Sequence, residues 1–257
     1  MTSRELFEAY RRMFATAEDG VVCWWYTGVS YVALEHRPEI PVCQIAAIMT
    51  YRTETVSSDV FRVHWSEIGV FTHPVTGESS GTWENPLTGA VVQAPRSFFE
   101  GPGVYTVRAA DHGIQLEVKQ PGALVEELRV TFEECGDRFG FSQLERKTRS
   151  YPDASGAIPS LEIQPGLRAL TELEFFTTKA ALTRPRSEPL PVYGVYRFTL
   201  SGIPDWMGFA ALPGSTRTLG SITRADHGQR VNPRAWRLLE ERFPREIVTP
   251  TVLPSVS

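Results

Sequence analysis

The feature that most constrains this chain is a succession of long runs rich in β-branched and aromatic residues, separated by turn residues and never by a helical pattern. The runs are Val21 to Leu34 with a break at Thr27-Gly28, Val42 to Thr55, Val60 to Thr72, Val104 to Val118 turning at Asp111-His112-Gly113, Glu126 to Glu134 and Phe139 to Arg146. Ala169 to Thr178, Val192 to Leu200 and Thr216 to Thr223 complete the set. Without helices to serve as crossovers, the sheet is expected to be antiparallel. Ten or so strands leave long edges unless they close or stack. The chain therefore reads as mainly β, an antiparallel closed sheet of the calycin or lipocalin-like barrel kind in preference to a sandwich, with short N- and C-terminal helices.

The helices have their own signals. Leu6, Tyr10, Met13 and Phe14 share one face between residues 3 and 15, and Thr2 with Glu5 matches a capping box. Asn232-Pro233 is a cap followed by proline at the first helical position, and Trp236, Leu239 and Phe243 recur at helical spacing before Pro244. One domain over 1–248 is expected, with 249–257 as a flexible C-terminal tail. His73-Pro74-Val75-Thr76-Gly77 and Asn85-Pro86-Leu87-Thr88-Gly89 share a Pro-x-Thr-Gly pattern that predicts two hairpin turns, not a repeat architecture.

Charge and motifs exclude several classes of function. A net charge of −4, without a long run of either sign, offers no footprint for a phosphate backbone, so no nucleic-acid partner is expected. No apolar run is long enough for a membrane span, and the N-terminus leads into amphipathic sequence, so a cytoplasmic protein without a membrane partner is expected. Cys23, Cys43 and Cys135 are odd in number and far apart, which suits free thiols in a reducing compartment. The five histidines, His36, His64, His73, His112 and His227, show no paired metal spacing. Dinucleotide, phosphate-loop and serine-elbow motifs are absent, so the expectation is no metal and no cofactor. A homodimer is compatible with all of this.

Strand alternation then places the candidate chemistry. Between Val60 and Thr72 it puts Phe61, Val63, Trp65, Glu67 and Phe71 on one face and Arg62, His64, Ser66 and Ile68 on the other. Glu67 among aromatics would lose hydration and hold its proton more tightly, as a general acid or base must. Pairing with an arginine, or a kink toward solvent, is the bland alternative. Trp24 and Tyr26 share a face, as pocket wall and phenol donor or as plain core. In Trp83-Glu84-Asn85-Pro86 the tryptophan can wall a pocket while Glu84 or Asn85 reaches a ligand; the alternative is a turn that covers a barrel end. Tyr193 and Arg197 share a face suited to an oxyanion or to an ordinary Arg–Glu contact, and Trp206 lies just beyond. His64 and His227 are weaker acid or base candidates.

Trp24-Trp25-Tyr26-Thr27-Gly28, the run from Glu67 through His73-Pro74-Val75-Thr76-Gly77-Glu78, Thr82-Trp83-Glu84-Asn85-Pro86-Leu87-Thr88-Gly89, Pro204-Asp205-Trp206-Met207-Gly208 and Pro213-Gly214 occur in that order. On these phrases the chain resembles the DUF1838 family of bacterial and fungal proteins, the tryptophan–Glu–Asn–Pro segment being the most specific. That family is functionally uncharacterised, so the resemblance implies one strand-rich domain and carries no catalytic residues across. Many relatives carry a twin-arginine export signal, which this chain lacks. Where they continue the hairpin with a His-rich or Asn-Asp phrase, Ala94-Pro95-Arg96-Ser97-Phe98-Phe99 stands here, which implies a more apolar pocket mouth.

The functional expectation is a cofactor-independent isomerase, cyclase or lyase that moves a proton on a hydrophobic small molecule, polyketide- or terpenoid-like, as in secondary metabolism. Glu67, Glu84 and His64 are the candidate acids or bases, Tyr26 and Arg197 the oxyanion stabilisers, and Trp24, Trp65, Trp83, Asn85, Tyr193 and Trp206 the binding surface. The alternative is a lipocalin-like carrier that binds the same kind of ligand in a proton-inert lining.

Overall fold

The computed structural model describes residues 2–16, 18–79, 81–111, 113–120, 123–149, 168–185, 190–209, 212–225 and 233–245. His112, His227, Asn232 and the expected tail at 249–257 lie outside the described residues. Helix α1 (Ser3–Phe14) precedes β1 (Gly20–Leu34), β2 (Ile40–Ser57), β3 (Val60–Thr72), the short β4 (Thr82–Glu84) and β5 (Val91–Gln93), β6 (Ser97–Ala110), β7 (Gly113–Lys119), β8 (Ala123–Cys135) and β9 (Arg138–Arg149). After them come β10 (Arg168–Thr178), the single turn α2 (Lys179–Leu182), β11 (Tyr193–Leu200), a 3-10 turn at Asp205–Met207, β12 (Gly214–Ala225) and α3 (Pro233–Arg242).

Ten of the strands form one antiparallel sheet in the order β7-β6-β3-β2-β1-β12-β11-β10-β9-β8, curled nearly into a barrel. Its two end strands, β7 and β8, are neighbours in the chain, and side chains rather than a backbone ladder join the two margins. Tyr105 of β6 donates to Glu145 of β9 at 3.0 Å, and Lys147 of β9 lies 3.5 Å from Glu100 of β6. The separate β4–β5 hairpin sits over one end.

Alternation in the strands explains the interior. Phe61, Val63, Trp65 and Phe71 of β3 are buried in the central core with Trp24 and Tyr26 of β1, while Trp25 points outward. There Trp25 packs with Ile48, Ile68 and Val70 beneath Ala235 and Leu239 of α3 and Phe243 just after it. The expected break at Thr27-Gly28 does not occur: β1 runs through it, with Gly28 opposite Gly220 of β12. A Cβ on Gly28 would lie 2.8 Å from the Leu219 carbonyl oxygen, so this glycine permits close strand approach and makes no turn.

Helix α1 fills one end of the barrel. Thr2 and Glu5 form the expected capping box, worth about 1 kcal/mol. Phe7, Tyr10, Met13 and Phe14 are fully buried, each contributing roughly 1.5–3 kcal/mol. Phe14 packs on the rings of Tyr51, Tyr105, Phe141 and Phe175, and its carbonyl accepts from Trp24 Nε1 at 3.0 Å.

The other end is capped by Trp83, Met207 and Phe209 against Val32, Leu34 and Val42. Both Pro-x-Thr-Gly phrases form the same closed loop: His73 N–H bonds to Glu78 O at 2.8 Å, and Asn85 N–H to Ala90 O at 2.9 Å. Gly77 and Gly89 take φ of 68° and 69°, where a side chain would be strained. The second loop turns the β4–β5 hairpin; the first leads from β3 into the cap.

Candidate functional site

Between the α1 plug and the cap lies a cavity of about 80 Å³. Its lining combines aromatic walls, among them Trp65, Phe71, Phe98 and Trp206, with an unusual set of ionisable groups: Tyr26, Tyr51, Glu67, Glu100, Tyr105, Glu145, Lys147 and Tyr196. Two glycines make room for those walls. A Cβ at Gly69 would meet the Phe98 ring at 2.2 Å, and one at Gly103 would meet the Trp65 indole at 2.4 Å.

Glu67 reaches the cavity because β3 keeps its period of two through a bulge against β6 between Trp65 and Glu67. Tyr26 of β1 donates its hydroxyl to Glu67 Oε1. The Tyr26 side chain is almost wholly enclosed, and its ring lies 5.1 Å from that of Tyr196 on β11. Burial first, then the adjacent Glu67 charge and Tyr196, push the Tyr26 phenol well above its ordinary range. It is therefore a neutral donor at physiological pH.

A second group of polar residues adjoins this pair. Glu100 on β6 is the register partner of Glu67. Its Oε1 accepts from Gln120 Nε2 at 2.7 Å, and Gln120 Oε1 accepts from Lys147 Nζ at 3.1 Å. Lys147 also lies 3.0 Å from Glu145 Oε1, while Tyr105 donates to Glu145 Oε2. The Lys147 and Glu145 side chains are only 7% and 4% exposed, so each charge depends on the other for stabilisation that water would otherwise provide. Burial, reinforced by Glu145, also raises Tyr105, and burial with Glu67 and Glu145 raises Tyr51. Cys43 borders the cavity too, but burial pushes its thiol up to about 12, which makes it a poor nucleophile.

The residues singled out in the sequence separate into three groups. Glu67, Tyr26, Trp65 and Trp206 come together around the cavity. Trp24 and Trp83 are buried but lie in the α1 end and the cap respectively. Asn85 is fully buried as a clamp: Nδ2 donates to Met207 O at 3.3 Å and Gly208 O at 3.1 Å, and Oδ1 accepts from Leu87 N and Thr88 N. The rest face away from the interior. Glu84 is exposed on β4 because the inward position there belongs to Trp83. Arg197 and the 53% exposed Tyr193 share the outer face of β11, where Arg197 pairs with Glu174 at 3.0 Å. His64 lies on the outer face of β3 and meets Glu54 at 2.9 Å.

Glu100, Tyr105, Glu145, Lys147 and Gln120 went unnoticed in the sequence. A signal existed on β9, where Phe139, Phe141, Gln143, Glu145 and Lys147 alternate and all are buried. Among the described residues, no group of three or more His, Cys, Asp or Glu could hold a metal ion, and no helix is long and apolar enough to cross a membrane. No family model matches this chain and no curated protein matches it.

Proposed function

We propose that the barrel interior is an acid–base site that moves a proton on a small apolar molecule, with Glu67 as the group that takes and returns it. The observation that carries this reading is the enclosed Tyr26–Glu67 pair on the wall of an aromatic cavity. In the proposed step a carbon beside a carbonyl loses its proton to Glu67, and the C–H electron pair shifts to give an enolate. Return of the proton from Glu67 to another carbon of the conjugated system gives an isomer, with no net change in atoms or electrons. Tyr26 holds the carboxyl group in place by donating to Oε1, and exclusion of water strengthens every such contact.

Size narrows the substrate. A dry cavity of about 150 Å³ takes one benzene ring; this one, at about 80 Å³, admits a ring only when its aromatic lining moves apart. A molecule of a single small ring suits it better than a polycycle. Free Cys23, Cys43 and the exposed Cys135 support a reducing, cytoplasmic setting.

A panel of cyclic ketones and enones in deuterated buffer tests the reading by mass spectrometry. The wild-type chain is expected to exchange α-hydrogens of at least one member above background, and Glu67→Gln to lose about a hundredfold or more of that rate. Binding without exchange throughout the panel would instead identify a carrier.

A further inference from the structure

Trp65 is 5% exposed and its indole Nε1–H has no hydrogen-bond partner among the described residues. The buried Nε1–H of Trp206 likewise has no partner among the described residues, and both side chains line the central cavity. Lack of a partner is not general for the tryptophans of this protein: Trp24 donates to Phe14 O at 3.0 Å and Trp236 to Glu240 at 2.5 Å. Trp25, also unpartnered, is packed under α3, outside the cavity. A buried donor without an acceptor forfeits its hydration, which is a reason to look for a partner that belongs there. For Trp65 the neighbour across the ladder is Gly103, and the indole occupies the space that its missing Cβ would take, 2.5 Å from Nε1, so Gly103 presents no side-chain acceptor to it.

We infer that Trp65 and Trp206 are the substrate's hydrogen-bond donors, and that the substrate is therefore a neutral ring compound bearing an acceptor oxygen of the carbonyl type. An indole N–H donates only, so it selects an oxygen with free lone pairs over a hydrocarbon or an ammonium group. The lining disfavours an acid: Glu67, Glu100 and Glu145 stand against Lys147 alone among the described residues, and Lys147 is already engaged by Glu145, Glu100 and Gln120. A ligand carboxylate would bring a fourth acidic group into the same enclosed space. The inference rests on the proposed acid–base site, since a carbonyl oxygen held by an indole is where charge develops when Glu67 removes the neighbouring proton.

The test is binding, read on the indole N–H signals of the full chain labelled with 15N-tryptophan and assigned with Trp65→Phe and Trp206→Phe. The probes are cyclohexanone, methylenecyclohexane as its hydrocarbon equivalent, and cyclohexanecarboxylate. Cyclohexanone is expected to move the Trp65 or Trp206 signal downfield and to bind roughly tenfold more tightly per donor engaged than methylenecyclohexane. The carboxylate is expected to bind more weakly than either. Equal affinity for ketone and hydrocarbon, saturation by ketone without movement of either signal, tighter binding of the carboxylate, or no binding of the ketone overturns the inference. Should Trp65→Phe fail to fold, assignment through backbone connectivity leaves the wild-type titration decisive. Exchange of deuterium is scored separately: indole shifts without exchange would leave this inference standing and remove the proton-transfer reading, and exchange without indole shifts would do the reverse.

Discussion

Replacing Lys147 with methionine isolates the largest electrostatic commitment in the interior. The Lys147 side chain is 7% exposed, and its ammonium group lies 3.0 Å from Glu145 and 3.5 Å from Glu100 and is bonded to Gln120. Methionine preserves most of the volume but leaves the 4% exposed Glu145 without its cation. Removing one partner of such a pair costs about 3–5 kcal/mol, because the remaining charge is neither hydrated nor neutralised. For a chain of this size each kcal/mol shifts the melting temperature by about 2–4 °C, so a drop of roughly 6–20 °C is expected. Thermal unfolding followed by circular dichroism, with urea midpoints as a check, measures it. Adding Glu145→Gln should restore part of the loss, with a coupling of about 1–3 kcal/mol. Arg197→Ala is the control: its pair with Glu174 is 44% and 43% exposed, and its loss should cost no more than about 1 kcal/mol. If Lys147→Met unfolds within a degree or two of Arg197→Ala, the account of the interior as a closed, dry ion network is wrong.

Gly103→Ala places a methyl 2.4 Å from the Trp65 ring, so it should cost about 1–3 kcal/mol in urea unfolding and shift the tryptophan emission; an unchanged midpoint and spectrum would contradict the packing. Asn85→Ala removes the clamp between the hairpin loop and residues 207–208 and should destabilise by about 1–3 kcal/mol, whereas Glu84→Ala beside it, on the surface, should stay within about 0.5 kcal/mol. Alkaline titration tests the buried phenols. Tyr10, Tyr26, Tyr51 and Tyr105 are all raised by burial, so the stability they contribute is fully present below their unfolded value near 10 and is lost as pH rises beyond it. Their phenolate absorbance should therefore appear together with unfolding, and ionisation of all tyrosines in a still-folded chain would refute the burial argument.

Much of this architecture is legible in local sequence because strand alternation is a local property. The pattern in Val60 to Thr72 places Trp65, Glu67 and Phe71 inward and His64 and Ile68 outward, as the structure has them. Trp24 and Tyr26 likewise part from Trp25. The misplacements arise where a face was identified but its direction was not. Tyr193 and Arg197 do share a side of β11, yet the opposite side carries Gly194, Tyr196, Phe198 and Leu200, and burial of those apolar groups turns Arg197 to solvent. Glu84 follows Trp83 outward for the same reason. The network of Tyr105, Glu145 and Lys147 depends on β6 and β9 meeting across the closure, a relation set by strand order and barrel closure that no local spacing encodes.

The most direct test of the central claim is a crystal structure of the protein with the tightest-binding ketone of the panel. The account predicts the ring inside the barrel, between Tyr196 and Trp65, with a carbon next to the carbonyl within about 3–3.5 Å of Glu67. A ligand on the outer faces beside Arg197 or α3, or in the barrel with Glu67 turned away from it, would contradict it.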